Sequence, residues 1–495
     1  MLSCHLQKNY LRFGLVAYFS LFLILWAKAQ TPKINQLKYE NYRERFLRYF
    51  VFVPDSTDLK IWPWEAGGYC LPADVRSFDG YNTAVRWADT EVNLGTYWAV
   101  LATEARLYQQ NNKAKQCAAT LHELNLALDA YYRLDEKAEQ YFGEPKGEIN
   151  GFFIRDDVSY LSGENGQPNY FTQHFLPDTA LSLTKSSGIF IVSDCGHCGH
   201  PPCVYLDEQN PSQNPHCGQA PSYCFYTSLD QTIHLLHGLA IIKACLPNET
   251  QIRHKTKQIA QALRQYWLNA CPAEGCGILN HGPAYNPVTG QQCQHWGNFY
   301  GFGYAIVKAA DFIVGDTTRN IPCQGQCGWQ LTNNRLCLST YNCHMKTAIA
   351  AASGISPQIN NRNPKAFVKF AFARNWPVYA LSYWLVHGEQ NEKNHKKAFS
   401  TKQINEIKQL LNTAPAQGPF NFMETQNNTM QYYLSPSIDT DEIGPNGWAA
   451  PSRWGSSKAH QFGQIPPKVP GQYNGLDYML LYNLTNLVLP QSFED

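Results

Sequence analysis

Apolar side chains along this chain recur mostly at intervals of three and four, the mark of helices with one buried face. The spacing predicts helices over Ile34–Val51, Asp89–Gln110, Lys113–Tyr141, Ser228–Cys245 and Thr250–Leu268. Further helices are predicted over Gly297–Val314, His344–Ser353, Ala366–Gly388, Thr401–Leu411 and Tyr473–Val488. Val92, Leu94, Trp98, Leu101, Ala105 and Tyr108 make one stripe, and Leu121, Leu124, Leu128 and Tyr131 make the next. Only Asn111-Asn112 separates them, so the two helices read as an αα-hairpin. The pair Ser228–Cys245 and Thr250–Leu268 repeats this arrangement across Leu246-Pro247-Asn248. Pro377 predicts a kink or break in its helix, because proline lacks the N–H and its ring meets the preceding turn.

Ser228–Leu246, SLDQTIHLLHGLAIIKACL, departs from the two-faced pattern. It is apolar nearly all round, yet it holds Asp230, His234 and His237 at i, i+4 and i+7, which is one helical stripe. A polar group in such a helix needs a partner or a wet cavity. Three readings follow. The stripe lines a cleft, or it is a satisfied buried network with Asp230 favoured near the helix start, or it forms part of a metal site that no further motif completes.

Long polar stretches rich in Gly, Pro, Asn and Gln separate the hairpins. The largest runs from Phe142 to Tyr226 and contains strand-like pieces at Gly151–Arg155 and Gly188–Ser193. Loops this long are usually functional or fixed by disulfides. No linker stands out, so residues 30–495 read as a single domain with an insertion at about 142–226.

Three passages carry a resemblance: YNTAVRWADTEVNLGTYWAVLATEARLY, SLDQTIHLLHGLAIIKACL and YNGLDYMLLYNL. They resemble the acid- and aromatic-tipped inner helices of the (α/α)6 toroid, the six-hairpin glycosidase-like superfamily. That resemblance implies a mainly α fold, with an inner ring of helices around a central cleft used on carbohydrates. It singles out no specific enzyme family. The fold alternative is an irregular α-helical solenoid, although the repeats lack a fixed period.

Composition narrows the picture further. The formal net charge is +1, which leaves no electrostatic footprint for nucleic acid. Aromatics reach 13% and charged residues only 16%, the reverse of a disordered chain. Lys8 and Arg12 precede the apolar run Phe13–Trp26, and Ala27-Lys28-Ala29 follows. This is the layout of a secretory signal peptide over residues 1–29, too short in its apolar part for a membrane span. Export to a secreted, periplasmic or cell-surface location is therefore expected, with no membrane span after cleavage.

Cysteine usage agrees with export. Of 16 cysteines, all but Cys4 lie beyond residue 29. The disulfide candidates are Cys195, Cys198, Cys203, Cys217, Cys224, Cys271, Cys276, Cys323, Cys327, Cys337 and Cys343. Cys195-x-x-Cys198 with His197, His200 and His216 has zinc-compatible residues. It lacks a second matching pair, and the compartment favours oxidation, so a stapled loop is preferred and no metal is expected.

The candidate chemistry lies where acids meet aromatics. Trp62, Trp64 and Glu65 form one cluster; Trp87 and Asp89 precede a long helix; Asp157 ends a short strand. Trp448 and Arg453 follow the acids Asp439, Asp441 and Glu442. His295, Trp296 and Tyr300 stand at a helix entrance and supply a base and a stacking surface. Glycoside hydrolysis needs two carboxylates flanking the bond, and sugar rings stack on aromatic platforms. The catalytic candidates are therefore Asp89, Asp157, Asp230, His234 and His295. The substrate-binding candidates are Trp62, Trp64, Glu65, Trp87, Trp296, Tyr300, Trp448 and Arg453. No phosphate-binding loop, dinucleotide fingerprint or serine-hydrolase elbow is present.

The expectation is an exported glycoside hydrolase acting on an oligo- or polysaccharide, as a monomer without a cofactor. A toroid polysaccharide lyase is the alternative within carbohydrate chemistry: a His or Tyr base would remove the proton beside a uronate carboxylate neutralised by Arg155 or Arg453. A non-catalytic glycan- or protein-binding component of the cell envelope is the alternative outside it.

Overall fold

The computed structural model describes residues 34–54, 67–73, 75–78, 83–87, 90–142, 149–158, 189–193, 203–204, 227–269, 302–315, 340–354, 364–373, 376–388, 398–414, 416, 420–426, 429–434 and 471–490. The described chain is mainly helical. Helix α1 spans 34–49. It is followed by α2 (Thr90–Gln110), α3 (Ala114–Phe142), α4 (Leu229–Cys245), α5 (Thr250–Asn269) and α6 (Phe302–Val314). Then come α7 (Thr340–Ser353), α8 (Pro364–Phe372), α9 (Pro377–His387), α10 (Thr401–Thr413) and α11 (Leu476–Val488). Pro377 ends the expected Ala366–Gly388 helix. It occupies the first turn of α9, where its missing N–H has no intrahelical partner to lose.

Two kinds of helix occur along the described chain, alternating except where α6 is followed by α7. In α2 every residue from Thr90 to Ala105 is buried, and α4 is buried nearly throughout. In α5 the buried residues Ile252, Thr256, Ile259, Leu263 and Trp267 form one stripe, with polar residues opposite. The all-round buried helices contact each other in a cycle. Helix α2 packs on α4, α4 on α6, α6 on α7, α7 on α9, α9 on α11, and α11 back on α2. Helix α4 also reaches across to α7 and α9.

These six helices run in one direction. On α11 and α2, Asn474 bonds Asn93 at 2.9 Å near the starts, while Asn483 bonds the Val100 carbonyl further along. Across α7 and α9, His344 meets Tyr379 near the starts, and His387 meets the Ala351 carbonyl near the ends. The α6 residue Phe312 lies between Lys243 of α4 and His387 of α9, all three in their last turns. Gly95 meets His234 in the first half of α2 and α4, and Gln109 in the last turn of α2 bonds Glu249 just past the end of α4. The N-termini of all six therefore share one end. The connections entering that end at 50–89, 143–228, 270–301 and 414–475 are long, whereas 111–113 and 246–249 turn tightly at the other.

Among the described residues seven short strands form a mixed sheet that the helical periodicity does not announce. They are β1 (Val75–Phe78), β2 (Thr83–Trp87), β3 (Ile189–Ser193), β4 (Cys203–Val204), β5 (Phe420–Gln426), β6 (Thr429–Leu434) and β7 (Gly471–Tyr473). Their order is β4-β3-β2-β1-β7-β5-β6, with β2 and β3 parallel and the other pairs antiparallel. The piece expected at Gly188–Ser193 is β3, and Tyr473 closes β7 rather than opening the last helix.

Helix α1 is tied to the ring by aromatics and one shared cation. Tyr39 stacks on Tyr482 at 4.9 Å, and Phe46 packs on Tyr97. Arg43 bonds Glu104 at 2.9 Å and Glu123 at 2.8 Å, while Tyr39 and Tyr97 each donate to one of these carboxylates. Burial and the adjacent carboxylates push both phenols well above their ordinary range, so they stay protonated donors.

At the far end, His387 donates from Nε2 to the last carbonyls of α7, at 3.1 Å from Ala351 and 3.2 Å from Ala352. Burial lowers its pKa to about 4, against the opposing effect of these bonds. A depressed folded pKa means that the stabilisation is present above the unfolded value and is lost as pH falls toward 4. That window is worth about 3 kcal/mol. Urea unfolding at pH 7 and pH 4.5 should show a smaller pH loss for H387Q than for the parent. Equal losses would remove His387 as the cause.

Candidate functional site

The starts of α4, α7 and α9 bring four ring side chains together. His234 of α4 stacks on His344 of α7 at 5.1 Å between centroids, and His344 meets Trp376, the residue before α9, edge-on at 5.5 Å. The Tyr379 hydroxyl of α9 lies 2.8 Å from His344 Nε2 and 3.3 Å from His234 Nε2. His237, one turn further along α4, packs edge-on against Tyr379 at 5.2 Å. All are buried: His234 is 1% exposed, His344 0% and Tyr379 6%. Gln231, next to Asp230, is fully buried, and its amide has no hydrogen-bond partner among the described residues; the same holds for Trp376 Nε1. Buried polar groups left in this state mark sites that need an explanation.

Asp230 is half-buried in the first turn of α4. Its carboxylate takes a hydrogen bond from the Ser228 hydroxyl, and its backbone carbonyl lies 2.7 Å from His234 Nδ1. The polar stripe thus has Asp230 at the helix start, His234 one turn in and His237 deepest, which is the order that the spacing predicts.

Two expected site residues belong to the scaffold instead. Asp157 is fully buried and paired with Arg133, with Lys137 at 3.1 Å and the Gly68 N–H at 2.8 Å. Those cations hold its carboxyl well below the usual carboxylate range against the effect of burial. A carboxylate with every oxygen engaged cannot act as acid or nucleophile, so Asp157 leaves the catalytic set. Trp87 is 1% exposed and its indole N–H bonds the Leu71 carbonyl at 3.0 Å, so it offers no ring to a sugar.

Asp89, His295, Trp62, Trp64, Glu65, Trp296, Tyr300, Trp448 and Arg453 lie outside the described residues. Their segments, 55–66, 88–89, 270–301 and 435–470, all belong to connections that enter the shared N-terminal end. Of the disulfide candidates, Cys203 and Cys343 are placed by backbone alone, and Cys195, Cys198, Cys217, Cys224, Cys271, Cys276, Cys323, Cys327 and Cys337 lie outside the described residues. Cys70, Cys117 and Cys245 are free thiols, all buried, and burial raises each above the ordinary thiol range.

Sequence reasoning missed His344, Tyr379 and Trp376. His344 lies in the first half of α7, Trp376 just before α9 and Tyr379 in its first turn, and nothing local distinguishes them from ordinary core residues. Among the described residues no three His, Cys, Asp or Glu side chains converge as metal ligands, and no helix is long and apolar enough to cross a membrane. No protein-family model, curated protein or solved structure matches this chain.

Proposed function

We propose that this chain is an exported carbohydrate-active enzyme on an (α/α)6 toroid, a glycoside hydrolase working in a cleft at the N-terminal end of the inner helices. One observation carries the reading. Six buried helices pack in a parallel cycle, and the acid–aromatic clusters at 62–65, 88–89, 295–300 and 439–454 all fall in connections entering one end of it. Helices α1, α3, α5, α8 and α10 precede α2, α4, α6, α9 and α11 as candidate outer partners, and among the described residues no such helix precedes α7. Hydrolysis would draw its two carboxylates from Asp89 and Asp230, with Trp62, Trp64, Trp296 and Trp448 as stacking platforms.

A specific observation favours a second reading, a polysaccharide lyase: the Tyr379 hydroxyl lies within hydrogen-bond reach of two histidines, His344 and His234. Proton abstraction beside a uronate carboxylate uses such residues. Incubation with a polysaccharide panel separates the two. Reducing ends without ultraviolet absorbance mean hydrolysis, and unsaturated uronate absorbance means elimination. Binding without either product would assign a glycan-binding role.

D230N tests the stripe. As a catalytic carboxylate, Asp230 should lose two or more orders of magnitude in turnover on this change, with the melting temperature nearly unchanged. Lost stability with full activity per folded molecule would make it a helix anchor. For export, alkylation in denaturant without reductant should label Cys70, Cys117 and Cys245. Most of the five crowded cysteines from Cys195 to Cys224 should stay unlabelled and appear as linked peptides. Labelling throughout that region would argue against an oxidising compartment.

A further inference from the structure

We propose that α10 is a hinged arm and α1 the fixed latch on its far end, so that this outer helix swings off the ring as one unit while the inner helices stay packed. The start of α10 is the hinge. Phe399, just before it and 2% exposed, packs on Trp384 of α9 at 6.0 Å and on Phe372 of α8 at 6.1 Å. The first turn then closes on itself. The Gln403 N–H donates to the Ser400 hydroxyl at 3.3 Å, and the Ser400 N–H donates to the Gln403 side chain at 2.9 Å. Such a capping box satisfies two helix-start donors without a neighbouring element.

The other end is held from outside. A helix leaves its last carbonyls without intrahelical donors, and its dipole is negative there. In α10 two of these carbonyls belong to Leu411 and Asn412. The Lys38 ammonium of α1 donates to both, at 3.2 Å and 2.7 Å. Asn35, one turn earlier on α1, donates to Asn412 Oδ1 at 2.8 Å.

Burial decides which partner moves. Helix α1 buries Tyr42, Phe46 and Phe50 completely, and Arg43 ties it to Glu104 of α2 and Glu123 of α3. The Tyr39 hydroxyl donates to Glu104 and accepts from Asn483 of α11 at 3.1 Å, so one group joins α1 to both sides of the seam where α11 meets α2. Within α10 only Ile407 and Leu411 are buried among the described side chains, whereas α5, also amphipathic, buries Ile252, Ile259, Leu263, Tyr266 and Trp267. Lifting α10 gives up little apolar burial; lifting α1 would strand a buried cation and two carboxylates. Units with few buried apolar contacts open at the lowest free energy, ahead of global unfolding.

Native-state hydrogen exchange on the full chain in sub-denaturing urea, read by mass spectrometry, tests the arm. Amides of residues 404–413 should exchange at least about tenfold faster than those of α1 and α2. They should share one rate that rises with urea, which marks a cooperative opening rather than a fraying end. K38M keeps the apolar stem and removes the ammonium. It should raise that rate at least about tenfold and leave α2 and α4 unchanged. Fast exchange confined to the last turn of α10, a common rate for α10 and α2, or a K38M rate equal to the parent's would each overturn the proposal. Should K38M not fold, N35A gives the same comparison through the adjacent bond.

Discussion

G95A should be among the most damaging single-methyl changes in this protein, destabilising it by about 4 kcal/mol or more. Helices α2 and α4 cross with their backbones in contact at this point. A methyl on Gly95 would stand 2.5 Å from the His234 carbonyl carbon and 2.8 Å from the Leu235 nitrogen. A methyl on Gly238, from the other side, would stand 3.0 Å from the Gly95 carbonyl carbon. These are backbone atoms in the middle of packed helices, so relief requires moving a helix axis, which a close-packed interior resists. Gly315 supplies the control. It has φ +90° and nothing within 4 Å of its missing Cβ, so G315A should cost only the left-handed strain of about 1 kcal/mol. Urea midpoints of the two variants decide the matter. A G95A midpoint close to that of G315A would mean that the helices do not approach as described. Because the Gly95 neighbour is the His234 backbone, folded G95A should also lose the His234–Tyr379 bond before other contacts.

The second large effect is expected at Asp157. D157A leaves Arg133, 2% exposed, and Lys137 beside a cavity where their counter-charge was. Breaking a buried pair from one side costs about 3–5 kcal/mol, most of it from the stranded charge. The Gly68 N–H also loses its acceptor. Arg133 further bonds the Tyr69 carbonyl at 2.9 Å, so the loss spreads to the 67–73 segment that α3 holds. The double variant R133M/D157L removes both charges and should recover much of the stability, because an apolar pair of similar volume avoids desolvating ions. Denaturation of the two single variants and the double variant gives the coupling directly. A D157A melting curve matching the parent would return Asp157 to the catalytic candidates.

Helix existence was legible because burial imposes a period. The α5 stripe of Ile252, Ile259 and Leu263 and the all-apolar α4 can be read one residue at a time. So could the break at Pro377, whose ring and missing N–H act locally. The order of Asp230, His234 and His237 followed from helical geometry alone. The sheet was not legible, since β4 has two residues and β7 three, too few for an alternation to stand out.

The roles of particular polar groups were decided by tertiary structure. Asp157 and Asp230 look alike in sequence, each an acid near an element's end. One meets Arg133 and Lys137 of the preceding helix α3, and the other meets a serine two residues away and sits half-buried. Trp87 and Trp376 are both buried rings, but the indole N–H of Trp87 is satisfied by Leu71, whereas Trp376 packs on His344. The sequence by itself determined which segments are helical, which helix carries a polar stripe, and where acids and aromatics accumulate. Packing alone decided that Tyr379 and His344, separated from His234 by more than a hundred residues, meet it at one point. Helical periodicity is a local property of the chain, while the partner of a buried hydroxyl is set by which helices become neighbours.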